Sequence, residues 1–385
     1  MDYLASKFAV YFKIVNMKHL IFCLSIISSF SVLLYSCQNN GSSEGDDTTL
    51  DQTEFLENIG ENLIVDGYED FLSQASDLNT SALAFEESPN ISNLDQLRAS
   101  WLSAYLSWQR VAFYNFGPAE SNAILSINYY PTDTSLIHSN ISSGSYDLNT
   151  AGATFSKGFP ALDYLLYGYA SSDQEIVDKF INNENALTYL TDLTANILSL
   201  ADGVSNNWSS YVETFKNNKG TSSGSSLSLL VNAWSQYMEV HVRNAKIGTP
   251  NGNSVVSSER LGPFPEKAEA FYSPYSLELL KEAHSAITNF YMGRSDNGTD
   301  GVGIYDLLVE LNAQEGTLAG DYKDLLDEVT SQLNAINVPL EQAIEEQGED
   351  VTAIFDNYKA IVALLKVDIV SSLSISITYA DNDGD

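Results

Sequence analysis

Gly158-Phe159-Pro160-Ala161-Leu162-Asp163-Tyr164-Leu165-Leu166-Tyr167-Gly168 is the stretch on which the reading of this chain turns. Pro160 suits the first turn of a helix, where its missing N–H leaves no bond unmade. From Ala161 to Leu166 every residue is apolar or aromatic except Asp163. A carboxylate on such a helix faces either a buried partner or a cavity. An ion pair to Arg110 or Arg243 is the structural reading of Asp163, and contact with a ligand is the functional one.

Outward from this stretch the pattern stays helical. Phe55, Ile59, Leu63, Tyr68 and Phe71 form an amphipathic stripe that predicts a helix ending before Asn79. Ser92-Asn93-Leu94-Asp95 reads as an N-cap with an acid three residues on. The next stripe is Leu97, Trp101, Tyr105, Trp108 and Val111, stopping at Phe116-Gly117-Pro118. Residues 120–156 show no sustained period, and long excursions of that kind are usually functional or lie across another element. Further helical runs fall at about 185–216, 226–246, 274–292, 303–313, 321–347 and 350–371, and strand-like alternation is confined to Ile375–Tyr379. The chain is all-α. The polar segment 217–226 separates residues 54–216 from 227–385, and two helical bundles are the economical way to bury helices of this kind.

The N-terminus sets the expected compartment. Lys18 and His19 precede an apolar run from Leu20 to Ser36, which closes on Leu34-Tyr35-Ser36-Cys37. That is a secretory signal over residues 1–36 with a lipoprotein cleavage box, its true start expected at Met17. A transmembrane anchor is the competing reading, but about 17 apolar residues is short for a span. Cys37 would then carry lipid and residues 37–53 would form a polar tether. Cys23 would leave with the signal, so no disulfide is expected and stability must come from the core. The expected location is the cell envelope, with the chain lipid-anchored at the outer membrane of a Gram-negative bacterium.

The chain carries 51 acidic residues against 18 lysines and arginines, a net charge of −33. Such acidity argues against a nucleic-acid partner and favours a solvated surface. It also raises the local concentration of cations. The tail Asp381-Asn382-Asp383-Gly384-Asp385 looks like the opening of a calcium loop, but the chain stops before the twelfth-position glutamate such a loop needs, so an acidic solvated tail is expected.

Several separate blocks, in order, resemble the imelysin family. They include Leu97–Trp101 through Trp108-Gln109, Phe116–Glu120, Ile127–Pro131, Arg243–Gly252, Leu365–Asp368 and Tyr379–Asp385, together with the quoted stretch. The family's motif is Gly-x-His-x-x-Glu; Pro160 stands here in place of its histidine and Asp163 in place of its glutamate. The resemblance implies two related helical-bundle domains, export to the envelope, and a site at the junction between the domains beside the motif. Its members include an insulin-cleaving membrane protease, iron-regulated surface proteins and a component of an iron-uptake system.

The residues argue against peptidase chemistry. A zinc hydrolase needs about three protein ligands and an open position for water. After the signal only His138, His241 and His284 remain, and none lies three or four residues from another. Oxygen ligands for a divalent or ferric ion ask less, and Asp163 is the candidate for one. Arg110, Glu120 and Arg243 join it as expected ligand-binding residues, with a buried arginine–carboxylate network at the junction as their structural alternative. Tyr129, Tyr130, Phe271, Tyr272 and Tyr275 are expected in core or loop packing, with the lining of a ligand cleft as the alternative. The function expected is metal or small-ligand binding in nutrient uptake, iron included; a metallopeptidase and a surface interaction module are the alternatives.

Overall fold

The computed structural model describes residues 50–379, apart from 121–122, 254–259 and 297. The expected signal, Cys37, most of the expected tether and the acidic tail from Ala380 onward lie outside the described residues.

Three helical segments, Thr53–Glu57, the π-form Asn58–Val65 and α1 (Asp66–Glu87), follow one another without a break. A short turn leads into α2 (Ile91–Val111), whose N-cap is Asn90, its side chain accepting the Asn93 N–H. Phe71, Ala75, Leu78, Ala82 and Phe85 of α1 bury against Leu94, Leu97, Trp101 and Trp108 of α2. Short helices at Ala123–Ile127 and Thr134–Ser143 lead to α3 (Gly158–Asp163), which runs on as a π segment, Tyr164–Gly168. After a short helix (Asp173–Ile181), α4 (Glu184–Asn217) spans 34 residues and packs on α1.

Residues 218–225 connect α4 to α5 (Ser226–Gln236), which continues as the π segment Tyr237–Gly248. Then come α6 (Ser276–Met292), α7 (Leu318–Ala335) and α8 (Gly348–Leu364), with shorter helices between them. Trp234, Phe290, Tyr291 and Tyr322 form an aromatic knot in this half. The two halves meet where α6 lies against α2, and Phe113 of the α2 end packs on Tyr237 and Phe290.

The described residues form no β-strand, only an isolated bridge between Arg294 and Asp300. The alternating segment at 375–379 is extended without a partner strand. Asn232 takes that place: its Nδ2 donates to the Ser376 carbonyl and its Oδ1 accepts the Thr378 N–H. The first helix does not end before Asn79, because Thr194 of α4 donates to the Asn79 side chain and uses the group that would otherwise compete with the backbone. The run expected over 321–347 is two helices, broken ahead of Pro339.

Gly158 heads α3 with φ +74, and a Cβ there would stand 2.1 Å from the Ile127 carbonyl oxygen. Only glycine allows this approach of α3 to the 127–132 segment. Gly158→Ala is expected to destabilise the fold by about 2–4 kcal/mol, from backbone strain plus the clash. A urea titration checks this; an unchanged midpoint would mean that the segment yields freely.

Candidate functional site

Asp163 ends α3 and is 1% exposed. Its Oδ2 accepts the Tyr272 N–H at 2.9 Å, and its Oδ1 has no hydrogen bond. No arginine pairs with it, so neither expected ion pair, to Arg110 or to Arg243, is formed. Burial pushes the carboxyl up to about 7, with the Glu341 charge adding to the rise and the Ser273 and Tyr272 donors opposing it.

Asp163 and Pro160 line a cleft of about 20 Å³, room for one water or a bare ion. One wall is Tyr130-Pro131-Thr132, and the other is the loop from exposed Glu266 through Ala270 to Tyr272. Tyr130, Phe271 and Tyr272 therefore line a cleft, the alternative to the packing expected of them. Tyr129 packs on Phe155, and Tyr275 on Trp101 and Tyr167.

Both walls hang on Glu269, which is 2% exposed. Its Oε2 pairs with Lys246 Nζ. Its Oε1 accepts from Tyr105 OH at 3.1 Å, Gln109 Nε2 at 3.1 Å and Asn128 Nδ2 at 2.6 Å. Lys246 Nζ also donates to Gln109 Oε1 at 2.8 Å. Burial pulls the lysine down while Glu269 holds it up. One carboxylate thus ties α2, the segment after Ile127 and the π segment to the loop that supplies the Tyr272 N–H. Neither Glu269 nor Lys246 was expected as a site residue. Lys246 did leave a signal: it shares a helical face with Val242, a rare cation on an apolar stripe of an acidic chain.

The other expected residues lie elsewhere, and no hydrogen bond or ion pair joins any two of the four. Arg110, one third exposed, pairs through Nε with Glu282 and lies 3.5 Å from both Asp70 and Asp296. It links the halves through an arginine–carboxylate network, but a part-exposed one in place of the buried network expected, and with these acids and not with Glu120. Arg243 is buried against Glu239 at 3.1 Å, and Glu239 also takes Lys366 at 3.2 Å and the Tyr379 hydroxyl at 2.8 Å. Glu120 is exposed after the Gly117–Ala119 turn.

The histidines occupy three separate settings. His138 is exposed and bonds the Tyr164 hydroxyl at 2.7 Å. His241 lies tilted against the Tyr237 ring, and burial with the Lys246 charge takes it down to about 4. His284 bonds Tyr358, Thr330 and the Leu326 carbonyl, and burial takes it also down to about 4. Among the described residues no three histidine, cysteine or acidic side chains converge as a metal cage. The donor set at Asp163 fits a loosely held cation: one orphaned carboxylate oxygen, with Glu266 on the same cleft.

The imelysin family's sequence profile matches residues 64–367. An iron-regulated protein A from Synechococcus elongatus is 23% identical over 315 residues, covering 77% of this chain and 79% of that protein. The crystal structure of an imelysin-like protein from Psychrobacter arcticum superposes with a TM-score of 0.66 at 18% identity, over 85% of this chain and 97% of its own. That of a proposed iron-regulated protein A precursor from Parabacteroides distasonis gives 0.68 at 18% identity, over 84% and 96%. These structures share the all-α fold.

Two outcomes follow from the site. Because the folded state holds Asp163 protonated to about pH 7 while the unfolded chain ionises near 3.8, its contribution to stability is complete below 3.8 and is lost as pH rises through 7. The wild-type protein should lose on the order of 2–4 kcal/mol more than Asp163→Asn between pH 4 and pH 8, read from urea midpoints at several pH values; parallel curves would exclude the shift. Glu269→Gln leaves Lys246 without a counter-charge and should destabilise by about 3–5 kcal/mol, measured by thermal and urea unfolding. A loss below 1 kcal/mol, on the order of one ordinary hydrogen bond, would mean that the pair is dispensable.

Proposed function

We propose that this chain, which belongs to the imelysin family, is a cell-envelope protein that captures a small cation reversibly at the signature cleft, in iron-responsive nutrient acquisition. The observation that carries this reading is the Asp163 carboxylate: buried, without a cationic partner, and with one oxygen that accepts no hydrogen bond. A buried carboxylate in that state loses the solvation that water would give and recovers little from the protein. A cation in the cleft supplies the missing partner.

Hard divalent ions suit such a site, since they accept carboxylate and carbonyl oxygens and retain water. The cleft is one water wide, which matches an ion better than an organic ligand. One orphaned carboxylate oxygen, with the exposed Glu266 on the same cleft, would hold an ion weakly, as cargo that must be released requires. Iron enters through the relatives: two of the proteins this chain resembles carry the name iron-regulated protein A. The envelope location rests on the apolar run ending at Cys37, where lipid would tether the acidic domain to the membrane.

Hydrolysis is the weaker reading on chemical grounds. Pro160 offers no ligand at the motif's histidine position, and the histidines of the fold sit in three separate settings, two of them held neutral by burial.

Calorimetric titration of ferrous iron, zinc and calcium into the full-length protein tests the proposal. One ion should bind per chain, at least about tenfold more weakly in Asp163→Asn. Binding of the same strength in both proteins, or none in either, would overturn it.

A further inference from the structure

A second cavity lies apart from the signature cleft and shares no residue with it. It holds about 350 Å³ and opens where the two halves of the chain meet, a volume in the range of small-molecule sites. The π segment Asn58–Val65 and α1 form one side, the end of α2 another, and α6 with the following loop the third.

Its charge is unbalanced. Arg110 is the cation at its centre, and three carboxylates converge on that guanidinium: Glu282 in a direct hydrogen bond, Asp70 and Asp296 each at 3.5 Å. The second arginine on the lining, Arg294, already faces Asp300 at 3.4 Å. One guanidinium therefore serves three acids that also repel one another. An arriving anion would meet this excess of negative charge, whereas an arriving cation would relieve it.

Tyr114 supplies an independent observation. It lines the cavity, is 2% exposed, and lies near enough to Asp296 to feel its charge. No hydrogen bond joins its hydroxyl to another described residue, which leaves that group free to meet a ligand in the cavity it lines. Leu63 and Ala286 add an apolar surface beside it. Charge excess beside an apolar surface suits an organic cation with N–H donors on a short carbon chain.

We infer that this cavity is a binding site for a small organic cation, an alkyl amine or guanidine, held by Asp70 and Asp296 and hydrogen-bonded by the Tyr114 hydroxyl. Arg110 is here a positioning residue that fixes the carboxylates and links the halves. The site stands independently of cation capture at Asp163.

Calorimetry with putrescine and agmatine on the full-length protein decides the matter. Saturable one-to-one binding that weakens with added salt is expected. Asp70→Asn and Asp296→Asn should each weaken it about tenfold, and Tyr114→Phe about three- to tenfold, as the loss of one charge or one hydrogen bond implies. Asp70 and Asp296 are 43% and 51% exposed, so those variants should keep the wild-type melting curve. Asp163→Asn should bind both amines as the wild type does. No saturation in the millimolar range with either amine, binding that all three cavity variants leave unchanged, or preferential binding of succinate would overturn the inference.

Discussion

The buried pair of Lys246 and Glu269 is the constraint on which the site geometry depends. Two ions taken out of water are worth keeping only if their remaining donors and acceptors are met. Here they are met, by Tyr105, Gln109 and Asn128. With Lys246 the partners of Glu269 come from three stretches of the chain, which fixes the position of the loop that carries it. That position sets Ala270 at φ +51, an unfavourable conformation for a residue with a Cβ, and delivers the Tyr272 N–H to Asp163.

The π segments complete the arrangement. Extra residues in a helical turn rotate the side chains that follow, and such bulges recur at functional sites. Asn58, in the first, donates to the carbonyls of Gly293 and Val302 and pins the loop after α6 against the N-terminal half. Tyr164–Gly168 follows Asp163 directly, and its Leu166 carbonyl accepts two bonds from Arg98 of α2. The third contains Glu239, Arg243 and Lys246 on one continuous turn system, serving two separate buried networks.

Helical class was legible because the apolar stripes are long and repeat near every third or fourth residue. Helix ends were less so: Asn79 looks like a terminator until Thr194 occupies its side chain. Asp163 could be singled out as one acid on an apolar helix, but not its partner. The expectation of an arginine assumed that burial demands a salt bridge, whereas the nearest donors are the Tyr272 and Ser273 groups of a loop about 109 residues away. Glu269 could not be found at all from spacing, since its four partners lie between 23 and 164 residues from it. Long-range convergence leaves no periodic trace.

The contrast between the two buried carboxylates separates what the fold needs from what a ligand would use. Glu269 is fully met by protein donors, and removing its charge would strand a lysine. Asp163 has only the Tyr272 and Ser273 donors of one loop, keeps an oxygen without a bond, and is pushed toward its neutral form by burial. Replacing it with asparagine would preserve the Tyr272 bond and lift the desolvation penalty, so packing alone gives no reason for an acid there. The free energy that Asp163 forgoes in the empty fold is recoverable only when something positive, or a proton, stands beside it. Acid–cation pairing elsewhere in the chain, at Glu239 with Arg243 and Lys366 and at Arg110 with Glu282, shows how this fold treats carboxylates that serve structure. Asp163 departs from that treatment at the position where the family places its acid, and the departure is the ground on which we propose it as a binding group.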